Sequence, residues 1–239
     1  EVANIHYREF LWTLRRDEKD SLLQIALPDS TNWCRAYSYG EPYISSYFRH
    51  PAYVLYPVVN ISKEAAQLYC EWMTETINEN EAEGELVYEF RLPTRYEWLY
   101  AARGGNQYAR YSWDSPMLKD REGNPQCAYK DIANERITEA SDGECYFEED
   151  FTISSLRGKR LSITYRHFDP FSIYAYGPHR FGLYNMNGNV AEMVADRDIV
   201  VGGSWKNTGY DVRNESMRPF DSTALDVGFR TVMIVRNRD

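Results

Sequence analysis

The side chains best suited to redox, metal or nucleophilic chemistry in this 239-residue chain are four cysteines, four histidines and a serine set between a glycine pair and a tryptophan. Cys34, Cys70, Cys127 and Cys145 form no CxxC pair and stand at no metal-ligand spacing from the histidines. Cys70 falls in the helical run 68–72, where a thiol serves as a small buried apolar group. Cys127 and Cys145 flank one loop-like segment, and the spacing leaves their pairing open, with free thiols as the expectation. His50, His167 and His179 share no spacing that suggests a triad or a metal centre. Ser204, within Gly202-Gly-Ser-Trp205, has no paired base, so a turn or strand role outweighs a nucleophilic one. Asn60-Ile-Ser62 and Asn214-Glu-Ser216 fit the glycosylation sequon, the first being better explained as a helix start.

Several elements must position these groups. Residues 5–14 place Tyr7, Phe10, Leu11 and Leu14 at helical spacing behind Asn4, a candidate N-cap. Residues 28–56 carry turn and breaker signals without sustained periodicity. Tyr56-Pro-Val-Val59 reads as a short strand or an extended entry to a second helix, which Ser62 can cap. In that helix Ala65, Ala66, Tyr69, Trp72, Met73 and Ile77 make one apolar stripe, and the acidic run 79–85, a solvated loop, ends it. Thr94 and Glu97 have the spacing of a capping box for a third helix, which buries Trp98, Leu99, Ala101 and Ala102 and stops at Gly104-Gly105. Residues 105–180 show no helix beyond a turn or two, a long irregular stretch of the kind that marks functional loops or a fold poor in regular structure. The apolar runs 198–205 and 228–235 read as paired strands.

Composition bounds the function classes. A net charge of −9 and a pI near 5.1 repel a phosphate backbone, and the arginines of the last thirty residues are interleaved with acids, so no nucleic-acid partner is expected. No apolar run reaches the length of a membrane span, which leaves membrane association only to an anchor outside this segment. No Pro/Gly/Ser-rich linker divides the chain, so one domain over 1–239 is expected. Aromatics make up 15 %, with 20 tyrosines; their main use is in a half-buried core, their second in contact surfaces.

Ordered motifs carry a resemblance. Tyr56-Pro-Val-Val-Asn-Ile-Ser-Lys-Glu-Ala-Ala-Gln-Leu-Tyr-Cys-Glu-Trp72, Arg91-Leu-Pro-Thr-Arg-Tyr-Glu-Trp98, Ala101-Ala-Arg-Gly-Gly105, Gly182-Leu-Tyr-Asn-Met-Asn-Gly-Asn-Val190, Gly202-Gly-Ser-Trp205 and Gly228-Phe-Arg230 follow one another as in the formylglycine-generating enzyme, or sulfatase-modifying factor, family. The resemblance implies an α+β variant of the C-type-lectin-like fold with little regular secondary structure and long ordered loops. Glu1-Val-Ala-Asn4 is similar to the entry to the family's first helix, which would put an N-terminal strand, with any signal or anchor, upstream of this segment.

The resemblance also specifies chemistry. Its oxidases convert a sulfatase cysteine to formylglycine with copper held by two thiolates, a soft-ligand arrangement suited to Cu(I). Asn207 and Val212 stand at the aligned positions, so no copper and no such oxidase activity are expected. The resemblance further implies Ca²⁺ held by the Asn185 side chain, the Gly188 and Val190 carbonyls and the Glu192 carboxylate, hard oxygen donors from one tight loop. The residues alone also permit a simple hairpin turn at Asn187-Gly188. Asp131, Asn134, Asp142 and Glu144 are available to a second calcium site whose ligands the alignment does not assign.

Pro28-Asp-Ser-Thr-Asn-Trp33 and Tyr47-Phe-Arg-His-Pro-Ala-Tyr53 resemble insertions of a non-catalytic branch, the gliding-motility and type IX secretion lipoproteins. The expectation is therefore a calcium-stabilised structural and interaction protein, periplasmic or associated with an outer membrane. Its partners would be proteins of an envelope or secretion assembly, met through tyrosine-rich loops. Two alternatives stay open: an oxidoreductase of altered chemistry, and a lectin-like or retroelement-diversified ligand-binding protein.

Overall fold

In a computed structural model, residues 1–36, 40–80, 85–131, 137–139, 145–147 and 170–238 are described. Among the described residues six α-helices run in chain order: α1 (Asn4–Arg16), α2 (Asp20–Ala26), α3 (Asn32–Ala36), α4 (Glu41–Ser46), α5 (Lys63–Asn80) and α6 (Arg95–Arg103). The strands are β1 (Leu86–Arg91), β2 (Ile137–Glu139), β3 (Cys145–Phe147), β4 (Ala191–Met193), β5 (Ile199–Val201), β6 (Met217–Pro219), β7 (Val227–Gly228) and β8 (Val232–Asn237). A four-stranded sheet has the order β6-β5-β4-β7, parallel only at β4–β7, while β1–β8 and β2–β3 are antiparallel pairs. This is the α+β architecture expected, with short strands joined by long loops.

The main core forms because the apolar stripes of α1 and α5 face each other and the sheet. Tyr7, Phe10 and Tyr69 interlock with Phe229, Tyr7 lying parallel to Tyr69 at 5.7 Å and Phe229 meeting Tyr69 edge-on at 5.4 Å. Asn4 does not cap α1: Ala3 precedes the helix, and the buried Asn4 amide donates to the carbonyls of Tyr47 and Tyr53, tying α1 to the chain after α4. The other two start signals hold. Ser62 Oγ accepts from Ala65 N at the head of α5, and Thr94 and Glu97 form a complete capping box on α6, which ends at Gly104 in the left-handed conformation.

The terminal pairing differs from the expectation. The runs 198–205 and 228–235 do not pair with each other: β5 joins β4 and β6, while β8 pairs along its length with β1, from Leu86 opposite Asn237 to Arg91 opposite Val232. The side chains of α5 bind the far edge of β1. Asn78 donates to Tyr88 O and accepts from Tyr88 N, and Thr74 Oγ1 accepts from Phe90 N, so α5 satisfies edge groups that another strand would otherwise claim.

The segments 28–33 and 47–53 meet in a second cluster. Trp33 lies against Tyr43 at 4.8 Å and Tyr47 at 4.9 Å, and Tyr53 against Tyr47 and Tyr56 at 5.3 and 5.0 Å. Tyr47 is buried and Tyr43, Tyr53 and Tyr56 are half-buried against it. Among the described residues the exposed tyrosines lie elsewhere, at Tyr96, Tyr100, Tyr108, Tyr174 and Tyr210.

Candidate functional site

The segment 185–192 is a loop feeding β4, and its shape follows from close packing. Gly188, at φ 71°, donates to Gly202 O, and a Cβ there would collide with the Ala128 carbonyl. Asn185 and Asn189 also adopt positive φ, at 50° and 59°, a conformation asparagine tolerates better than other non-glycine residues. The buried Asn187 accepts from Ser112 N and donates to Val212 O and Asn214 Oδ1, so Asn187-Gly188 is a three-way junction and not a simple hairpin.

Three groups converge at the loop's inner end. Glu192 is buried, and both its oxygens are engaged: Arg230 Nε and Nη2 donate to Oε2 and Oε1 at 2.5 and 2.6 Å, and Trp98 Nε1 donates to Oε2 at 2.6 Å. Such a bidentate pair offsets the cost of burying the charge. The Glu1 carboxylate accepts from Asn185 Nδ2 and Asn189 Nδ2, and burial, together with the Glu192 charge, pushes it up to about 7. Asn185 Nδ2 serves two acceptors, Glu1 and Ser172 O, which fixes the orientation of the amide and leaves Oδ1 buried with no hydrogen-bond partner.

This arrangement provides a test of fit for a hard cation. Arg230 pairs with Glu192, Glu1 lies within the influence of both charges and is held by Asn185 and Asn189, and the Asn185 amide oxygen is stranded; a cation would answer the unpaired carboxylate and the stranded oxygen together. Of the expected ligands, Asn185, Gly188 and Val190 fall on the loop and Glu192 in β4 itself, and the donor types are ones that suit calcium. Glu192 would be shared with Arg230. Nothing in the sequence assigns Glu1, Asn189, Trp98 or Arg230 to this site. Arg230 was in view as the end of Gly228-Phe-Arg230, but only the sheet shows its role: Gly228 pairs with Glu192 across β4–β7, and Arg230 follows two residues on. Of the residues available to a second site, Asp131 is paired with Lys119 at 2.6 Å and approached by Tyr129 Oη, while Asn134, Asp142 and Glu144 lie outside the described residues.

Asn207 and Val212, which the resemblance aligns with the copper-holding cysteines, sit in other surroundings. Asn207 Oδ1 accepts from Ser204 N, and Ser204 Oγ lies 2.8 Å from it and 2.7 Å from Asp226 Oδ2, which Arg218 also binds. The serine is buried and hydrogen-bonded to an amide and a carboxylate, with no histidine among its partners, so its geometry is structural. Val212 is buried in an apolar cluster with Tyr111 and Cys127. The Cys127 thiol is free, and burial pushes its pKa far up, which keeps it neutral and inert; Cys70 is likewise pushed up to about 12 by burial. Cys145 and His167 have no described side chains. Among the described residues no group of three or more His, Cys, Asp or Glu side chains could hold a metal. His50 Nδ1 accepts from Ala52 N, and Asn214, with its amide bound to Ala109 O and Asn187, is buried beyond reach of a glycosyl transfer.

An α+β domain with short strands, a glycine-shaped loop over a buried ion pair and a Gly-Gly-Ser turn defines the class. A family model for the sulfatase-modifying factor enzyme 1-like domain matches residues 1–235, and the chain belongs to that family. It is 27 % identical over 141 residues to the formylglycine-generating enzyme of Streptomyces coelicolor, covering 59 % of this chain and 32 % of that protein. It is also 27 % identical over 191 residues to the inactive C-alpha-formylglycine-generating enzyme 2 of Bos taurus, covering 73 % of this chain and 49 % of that one. The chain thus spans less than half the length of these relatives. Among solved structures, PvdO from Pseudomonas aeruginosa superposes with a TM-score of 0.50 at 16 % identity, covering 77 % of this chain and 63 % of that one, a likeness of fold alone. The family therefore includes both named catalysts and a relative named as inactive.

Proposed function

We propose that this chain is a non-catalytic, calcium-stabilised interaction module of a bacterial cell envelope. The observation that carries the reading is the pair Asn207 and Val212. Where a copper oxidase needs two thiolates, this chain has an amide locked to Ser204 and an aliphatic side chain sealed in a core. Neither group supplies a soft ligand, and the nearby Cys127 is a single neutral thiol.

The stranded Asn185 oxygen and the mutual influence of the Glu1 and Glu192 carboxylates support the calcium part. When bound, the ion would supply fixed positive charge that cross-braces the loop; Asn185 and Glu192, with the Gly188 and Val190 carbonyls, would hold it. The envelope and secretion part rests on the resemblance of segments 28–33 and 47–53 to that branch. Partner contact falls to the exposed aromatics of α6, Tyr96 and Tyr100, which are 71 % and 68 % accessible. The test is reconstitution with purified type IX secretion components. A complex weakened by Tyr96→Ala with Tyr100→Ala is expected, and no complex with any component would refute the assignment.

A further inference from the structure

A cleft of about 320 Å³ opens between the segment 112–126, the segment 176–179 and the loop 183–187. Its volume stands at the lower end of the roughly 300–1,000 Å³ typical of small-molecule pockets. It is separate from the Ser204, Asn207 and Val212 station, none of which lines it. We propose that this cleft binds a neutral saccharide of one or two rings.

The first argument is charge. Among the described residues no Asp, Glu, Lys or Arg lines the cleft in a chain that is 26 % charged, and burial biases its one titratable lining group, His179, toward the neutral form, so an ionic ligand would find little to pair with there. The second is the pairing of a flat apolar wall with polar edges. A pyranose presents a face of C–H groups and a rim of hydroxyls, which calls for an aromatic platform flanked by neutral donors and acceptors. Trp113 provides the platform. Tyr111 stacks beneath it at 4.7 Å and 5°, and its indole N–H is tied to Met117 O at 2.8 Å, which fixes the ring in place. Gln126 Nε2 donates to the same carbonyl at 3.0 Å, which leaves its Oε1 free to accept. Ser112 Oγ and Tyr176 Oη make no hydrogen bond among the described residues, and each can both donate and accept.

The third argument is rigidity. Ser112 N is held by Asn187 Oδ1 at 2.7 Å, Tyr176 packs edge-on against Phe171, and Pro125 and Pro178 stiffen opposite walls. A wall already in place spares the ligand the cost of ordering it. A neutral peptide shares the lack of charge but has no continuous C–H face to lay on the indole.

The test is calorimetric titration of the full chain with cellobiose and with N,N′-diacetylchitobiose, and with an acetylated dipeptide amide as the competing neutral ligand. At least one saccharide should bind saturably with a Kd on the order of 1 mM. Trp113→Ala and Gln126→Leu should each weaken that binding about tenfold, and Trp12→Ala, on the exposed face of α1, should leave it unchanged. Gln126 is a half-buried loop residue, so Gln126→Leu keeps the test valid should Trp113→Ala fail to fold. No saturable binding of either sugar, binding indifferent to both cleft variants, or equal affinity for the dipeptide would each overturn the proposal. Neither Tyr96 nor Tyr100 lines the cleft, so none of these results bears on the envelope-partner reading.

Discussion

A buried charge is expensive to leave unpaired, and Glu192 shows how the fold meets that cost. Arg230→Met would leave a carboxylate facing Trp98 with no counter-charge, and a loss of about 3–5 kcal/mol is expected in urea denaturation. A loss under about 1 kcal/mol would mean that another group neutralises Glu192. Gly188→Ala combines a positive φ with a collision against Ala128 O, so it should cost at least about 2 kcal/mol in the same measurement. The sequence made Asn185, Gly188 and Glu192 visible because their motif is local. It hid Arg230 and Glu1 as partners because those contacts join positions 38 and 188 residues apart, which only the sheet and the course of the chain bring together.

Among the elements, α6 was the most legible, since its start and stop signals are short-range and chemically specific. Its cap also titrates. The Arg91 guanidinium, with the Thr94 backbone and hydroxyl, holds Glu97 down from 4.5 to about 2. A carboxylate depressed in the folded state adds stability that is present above 4.5 and is lost as the pH falls through about 2. Because its side chain is 42 % exposed, solvent screening limits the ion-pair share, and Glu97→Gln should cost only about 1 kcal/mol at neutral pH, shrinking toward zero near pH 2. Parallel denaturation of the two proteins across that range reads it directly. The strands were less legible. β1 alternates Leu86, Tyr88 and Phe90 with Val87, Glu89 and Arg91, yet its partner lies at the other end of the chain and its edge groups are met by Asn78 and Thr74, a side-chain device no period reveals. The runs around β5 and β8 were recognised as strands but matched to each other, because apolar content reports burial and not register.

At the scale of the whole molecule, the motifs yielded family and architecture because they are the tight turns and helix caps that the fold requires. They do not yield partner or ligand, which under the readings proposed above fall to exposed groups such as Tyr96, Tyr100 and the Trp113 cleft that no turn constrains. The calcium reading makes a global prediction: Ca²⁺ at a hundred times its Kd should stabilise the chain by about 2.7 kcal/mol, and a chelator should reverse the shift in Tm. Asn185→Leu should abolish the calcium-dependent part; a shift that persists in this variant would place the ion elsewhere.

The central claim is that the family scaffold here carries no copper oxidase. Its most direct test is to load the purified chain with Cu(I), measure bound copper, then add oxygen and a cysteine peptide and assay formylglycine by mass spectrometry. The proposed reading predicts no stoichiometric copper and no formylglycine, because Asn207 and Val212, at the positions the resemblance aligns with the copper ligands, offer no thiolate. One equivalent of tightly held copper, or turnover of the peptide, would contradict it.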